Sequence, residues 1–330
     1  MGKRIQWIDS VKGIAIILLL FSHSLIRDDL IRTWILSFRI PIFFIICGYI
    51  VNLKYSDGFK EGQFLDLLSK RWYNLLFPYF LFGIIYIIFL NALRLAGGVP
   101  LNVFPLLKKL LSMEGIASLW FLPIYFFSEI LLVFILGIFK NYYRYLVIAL
   151  IVVVLSLIDQ TTLSWPLSII YKVAAGSVFV FIGFVFASNR IEYKLSLTTA
   201  IILLIVFSSL TVLNRGASMN EMKIVPLYFI NAVFINLSFI TIVRILCDKY
   251  GDNRLLTFYG KNSLIVICTN NVIIETLRLV DYRFTGNFLL NHGYLGVIIF
   301  FFILIICEYP LLKIFGGKFK RKEKKINLSV

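Results

Sequence analysis

The chain is poor in charge and poorest in acid. Only 15% of its 330 residues are charged, against about 25% in a soluble domain. Asp and Glu together number 17. Histidine occurs twice, at His23 and His292, too few for a histidine-built metal site. The cysteines Cys47, Cys247, Cys268 and Cys307 all sit in apolar runs, and none forms a CxxC or zinc-like spacing. That argues against a thiol redox motif or a zinc site. No internal repeat is visible, so the usual sequence pointer to an inverted-repeat transporter is missing. No A-x-A site follows the first apolar run and Asp9 precedes it, so a cleaved signal peptide is not expected.

What the chain has instead is apolar residues. They make up 60% of it, and mean hydropathy is +0.91. This composition belongs to an integral membrane protein and excludes a cytosolic enzyme, a secreted domain or a disordered chain. Lys and Arg number 33, for a net charge of +16. In a membrane protein this excess marks cytoplasmic loops, so no nucleic-acid partner is expected.

A spanning helix needs about 20 mostly apolar residues. Ten stretches qualify, at roughly 12–31, 33–52, 74–94, 117–138, 143–158, 169–188, 194–213, 224–247, 262–280 and 293–314. The fifth is short. The expected fold is an all-α bundle of about ten transmembrane helices. An N-inside start places 21 of the Lys and Arg residues in cytoplasmic pieces and 9 in outer loops, which predicts that both termini are cytoplasmic. Residues 1–330 then form one transmembrane domain, with no room for a soluble catalytic domain. The basic tail, about 315–330, carries KFKRKEKK, which suits anionic lipid. The stretch VFPLLKKLLSM in the 95–116 connection is expected on the membrane surface.

Intramembrane polar residues are costly, and each is a functional candidate. Lys12 and His23 are eleven helical steps apart. They therefore share one stripe, about 16 Å apart along the axis, and Asp9 shares that face. A neutral imidazole suits proton transfer near neutral pH. With Lys12 at the cytoplasmic boundary, His23 is expected near mid-membrane. In the second span Arg39 is expected at similar depth, beside Pro41, which removes a backbone donor and favours a kink. Gly48 permits close helix packing. Lys70 and Arg71 are placed at the inner edge of the third span, as topology charges or as phosphate partners. Glu129 lies inside the fourth span and needs a partner, for which Arg39 is a candidate. Trp120 reads as an interfacial residue. Asn262 and Ser263 read as a capped helix start, and Asn270 as a buried amide needing a partner. Lys172 and Glu275 are expected near the outer boundary, within reach of water.

Six segments carry these residues: WIDSVKGIAIILLLFSHS at 7–24, FRIPIFFIICGY at 38–49, KRWYNLLFPY at 70–79, SLWFLP at 118–123, YGKNSL at 259–264 and EYP at 308–310. In order and spacing they resemble the acyltransferase 3 family of membrane acyltransferases. The resemblance implies a ten-span bacterial plasma- or inner-membrane enzyme. Such an enzyme moves an acyl group, usually acetyl, from cytosolic acyl-CoA to a hydroxyl of a sugar or cell-surface polysaccharide. It also implies that His23 is the essential histidine, Lys12 its basic partner and Arg71 the third-span arginine. Acetyl-CoA would be a donor substrate; no tightly bound cofactor or metal is expected. Two positions depart from the family pattern. Arg39 stands where many members have a histidine, and Thr269 and Asn270 stand where many carry a second one.

The resulting expectation assigns acyl-CoA phosphates to Lys12, Lys70 and Arg71, and the proton to His23. The developing oxyanion goes to Arg39 or Asn270. Direct transfer and an acyl-histidine intermediate both stay open. A transporter or flippase of a lipid-linked sugar, or a non-catalytic membrane partner, are the alternatives.

Overall fold

A bilayer leaves backbone groups no partner outside their own segment, so the apolar stretches become helices. In the computed structural model, residues 5–25, 30–55, 62–140, 142–286, 289 and 293–316 are described. Expectations for Arg27, Asp28, Asp29, Lys60, His292 and nearly all of the basic tail lie outside them. The structure is 85% helical, with no strand among the described residues.

The helices are α1 (Gln6–Ser24), α2 (Leu30–Phe38), α3 (Pro41–Tyr55), α4 (Gln63–Arg71), α5 (Phe77–Ala96), α6 (Val103–Leu111), α7 (Phe121–Ile138), α8 (Tyr143–Leu157), α9 (Leu167–Asn189), α10 (Ile191–Lys194), α11 (Leu197–Leu210), α12 (Val225–Tyr250), α13 (Arg254–Lys261), α14 (Ser263–Thr285) and α15 (Gly293–Phe315). Joining α2 to α3 and α4 to α5, nine of the described helical segments are long and apolar enough to cross a membrane. The tenth expected span, α8, has only 15 residues.

The packing shows that α8 nevertheless crosses. Phe44 meets Gly176 and Val180 meets Gly48, while Asn52 Nδ2 donates to Ser188 Oγ at 2.6 Å. Residue numbers rise together, so α3 and α9 run parallel. Helix α7 also runs with α9: Lys172 lies over Trp120, 5.4 Å from the ring centre, and Ser128 Oγ donates to Val173 O at 3.0 Å. Two consecutive parallel helices require a return pass between them, and α8 supplies it. The described residues therefore make ten passes. Its described ends meet at one end of the bundle, the near end. There Asp9 abuts Gly260, and Asn262 abuts Gly316.

Two pairs of helices touch backbone to backbone. A Cβ on Gly13 would strike the Leu256 carbonyl, and one on Gly260 the Asp9 carbonyl. These contacts lock α13 across α1. Gly48 against Val180 O, and Gly183 against Ile45 O, do the same for α3 and α9. Small residues at such crossings are what apolar helices need in order to pack closely in lipid. Helix α6 lies beside α5, where Tyr79 donates to Leu110 O at 2.7 Å and Phe104 stays 77% exposed.

Candidate active site

Pro41 lacks an amide hydrogen and cannot continue the helix behind it. Helix α2 stops at Phe38 and α3 starts at Pro41. Turns close on both sides, Arg39 N to Ile35 O and Phe43 N to Ile40 O, each at 3.1 Å. Asn236 of α12 donates to Phe38 O at 3.2 Å, satisfying a carbonyl beside the break. The break turns Arg39 inward onto α1. Its Nη1 donates to Leu19 O at 3.3 Å and to Ser22 Oγ.

That contact holds the last turn of α1, one residue before His23. Ser22 and Ser24 turn back into their own helix, donating to Leu19 O and Leu20 O. No hydrogen bond ties the half-buried His23 imidazole to another described residue. The charges that act on it come from Arg39, then Arg278, then Arg32, all cations.

Beside Arg39 lies a cavity of about 370 Å³. Arg32, Leu36, Arg39 and Ile40 line one wall and Trp120 another; Gly216, Ser218, Met219 and Asn220 close it. Positions 32, 36 and 39 are one face of α2, four and three residues apart. The closing loop is clamped by side-chain amides. Asn214 Nδ2 donates to Met222 O and Ile224 O at 3.1 and 3.0 Å, and its Oδ1 accepts from Ile224 N at 3.1 Å. Gln160 spans Met219 O at 3.2 Å and Met222 N at 3.1 Å. Thr33 Oγ1 accepts from Gly216 N at 3.3 Å.

Several sequence expectations need correction. His23 stands in the last turn of α1. Helix α2 rises about 13 Å beyond Arg39, however, so His23 remains below the far end of the bundle. Glu129 pairs with Arg71 and not with Arg39: Arg71 Nη2 to Glu129 Oε1 is 2.6 Å, with the Glu129 side chain fully buried. Arg71 is no edge residue either, because α4 starts at Gln63, and a π-turn at Trp72–Leu76 joins it to α5. Pro78 follows that turn and explains it, since its ring displaces the carbonyl four residues back. Asn262 caps nothing: its amide donates to Phe258 O at 2.9 Å, and neither Asn262 nor Ser263 accepts a cap bond, because α13 runs almost directly into α14.

The other predicted residues lie apart from the cavity. Lys12 is half-buried toward the near end of α1, and Asp9 is buried there. Lys70 is half-buried on α4. Asn270 is buried in α14; its Oδ1 accepts from Asn271 at 2.7 Å, and its Nδ2 has no partner. Asn271 also reaches Ser118 Oγ at 2.5 Å, tying α14 to the segment before Trp120. Thr269 donates to the buried Glu308 at 2.8 Å.

A family profile described as an acyltransferase domain, acyltransferase 3, matches residues 5–311. The chain belongs to the acyltransferase 3 family. No curated protein and no solved structure matches it. As a member of this family, with ten passes, it is a multi-pass membrane acyltransferase, and its reaction involves an acyl donor and an acceptor.

Of the predicted residues, the structure of this acyltransferase gathers Arg39 and Trp120 at the cavity wall, with His23 outside the lining but within the field of Arg39. Sequence reasoning missed Arg32 and the loop at 216–220. The only signal for Arg32 was its spacing from Arg39 along α2. The loop carried none, because backbone atoms and buried methionines build it.

Proposed function

We propose that this acyltransferase moves an acetyl group from acetyl-CoA to a hydroxyl of a sugar or cell-surface polysaccharide, with His23 as general base. The observation that carries this reading is the proximity of His23, whose imidazole bonds no described residue, to Arg39, a wall residue of the far cavity. The excess of basic residues toward the near end supports a cytoplasmic near face. The donor would enter there, past Lys12, and the acceptor would occupy the far cavity.

The acceptor hydroxyl gives its proton to the imidazole as its oxygen attacks the thioester carbonyl carbon. The new C–O bond forms, and charge develops on the carbonyl oxygen, where Arg39 stabilises it. The C–S bond then breaks, and the imidazolium returns the proton to the leaving thiolate, so acid and base are restored. General-base assistance of this kind contributes typically ~10²–10⁴-fold. Lys12, on the same stripe of an unbroken helix as His23, would take the donor's anionic part, with Lys70 on α4 as a second candidate. Arg71 would reach a phosphate only in competition with Glu129, since the two are already paired.

Membranes bearing wild type or His23→Ala at matched abundance, incubated with radiolabelled acetyl-CoA, test this reading. Label in glycan with wild type, and its loss by about two orders of magnitude or more in the variant, is the expected result. Equal transfer by both removes His23 from the mechanism.

A further inference from the structure

We infer that the far cavity selects an acceptor bearing an anionic group, a carboxylate or a phosphoryl group, close to the hydroxyl that is acylated. This rests on the acyltransferase reading above and adds a substrate class to it.

The argument starts from uncompensated charge. A guanidinium held partly out of water is costly unless an anion or a full set of acceptors meets it, and Arg39 is half-buried. Arg39 has two acceptors, Leu19 O and Ser22 Oγ, both neutral. Its Nε is buried with no partner among the described residues, and no described carboxylate lies within ion-pair distance of it. The groups acting electrostatically on Arg39 are another cation, Arg32, and the Tyr228 phenol. The two arginines share one wall of the same cavity. Lys172 lies over the Trp120 wall, but Glu114 acts on it, so the charge left to the cavity is that of the arginines. By contrast, Arg71, the other arginine on the proposed donor path, has its own carboxylate. Where the fold wants a neutralised arginine it supplies a glutamate. At Arg39, a wall residue of the cavity, it leaves the buried Nε without a partner among the described residues.

The rest of the lining fits a sugar. Trp120 offers an aromatic wall for a ring's C–H face. Ser218 and Asn220 offer hydroxyl and amide groups in a loop held rigid by Asn214 and Gln160. The volume, about 370 Å³, lies at the small end of ligand sites, suited to one or two rings. An acid on the acceptor would complete Arg39 and hold the neighbouring hydroxyl beside His23. Its source is either an acidic sugar or a sugar phosphate.

Full-length protein in nanodiscs with acetyl-CoA provides the test. The probes are methyl glucuronide, glucose 1-phosphate and the neutral methyl glucoside, read both by thermal stabilisation and by coenzyme A release. Stabilisation by either anion beyond that by the neutral glucoside is expected, and whichever anion is stronger identifies the source. Arg32→Gln is expected to raise KM for the anionic probe about ten- to a hundred-fold, the range for one charged hydrogen bond. The KM for the neutral probe should rise less than that for the anionic one, so that the ratio of the two shifts against the anion. Equal stabilisation by neutral and anionic probes, or none by either anion, overturns the inference. Absence of coenzyme A release with every probe, while anions still stabilise the protein, counts against acetyl transfer and leaves the anion site standing.

Discussion

Arg71 and Glu129 show how a single buried pair divides the site from its scaffold. Each keeps one orphaned atom, Arg71 Nε and Glu129 Oε2, and Tyr125 and Cys47 adjoin them. Removing one partner strands a charge inside the bundle, at a cost of about 3–5 kcal/mol. Glu129→Ala is therefore expected to lower the detergent-solubilised melting midpoint sharply, and Arg71→Met to do likewise. The double variant Arg71→Met with Glu129→Leu should recover most of that loss. A double variant as unstable as the sum of the singles would show that the pair contributes no mutual attraction. The sequence marked both residues as intramembrane charges, but not their partnership. Residues 58 positions apart carry no local signal of contact, and the polar segment Gln63–Arg71 hid the inward extension of the third span. Arg39 was more legible, because Pro41 forces a local break and a local break leaves a local trace.

At the scale of elements, backbone contact at glycine does what hydrophobic burial does in a soluble core. Gly13→Ala forces α1 away from Leu256, and Gly48→Ala forces α3 away from Val180. Overpacking costs about 1–3 kcal/mol or more where the obstacle is a backbone carbonyl. Gly137→Ala, with open space around it, is the control. Loss of monodisperse protein on size exclusion for the first two, with none for the control, is expected; three indistinguishable profiles would refute it. The short α10 offers a pH test outside the spans. Burial raises the Glu192 carboxyl above its usual value, and the Tyr49 hydroxyl, donating at 2.6 Å, opposes the shift only in part. Because the folded state holds this proton more tightly than the unfolded chain, the stabilisation is full below the unfolded value. It is lost as pH rises through the folded one. The melting midpoint should fall across that window in wild type, and Glu192→Gln should flatten the curve. Such features escape sequence reading: Asn262 and Ser263 read as a helix start, whereas Gly260 just before them is the point where α13 crosses α1.

For the molecule as a whole, the number of passes decides which face each part of the site meets. Apolar run length was legible throughout, since hydrocarbon thickness sets it. The one ambiguity was α8, whose 15 residues rise about 22 Å against ~30 Å of hydrocarbon. If α8 failed to cross, α7 and α9 would be antiparallel and the termini would lie on opposite faces. The contacts of Trp120 with Lys172 and of Gln160 with the Met219 loop require the crossing. A pass this short is accommodated by local thinning or by its flanks, and the segment through Gln160 extends it toward the far end. Single cysteines at Tyr142 and Lys249 should therefore share one side in impermeant-thiol labelling of oriented vesicles, with Asp159 and Asn220 on the other. Labelling of Tyr142 and Asp159 positions from the same side would remove the tenth pass. It would also put the far cavity and the basic tail on one face, where donor and acceptor could not approach His23 from opposite sides.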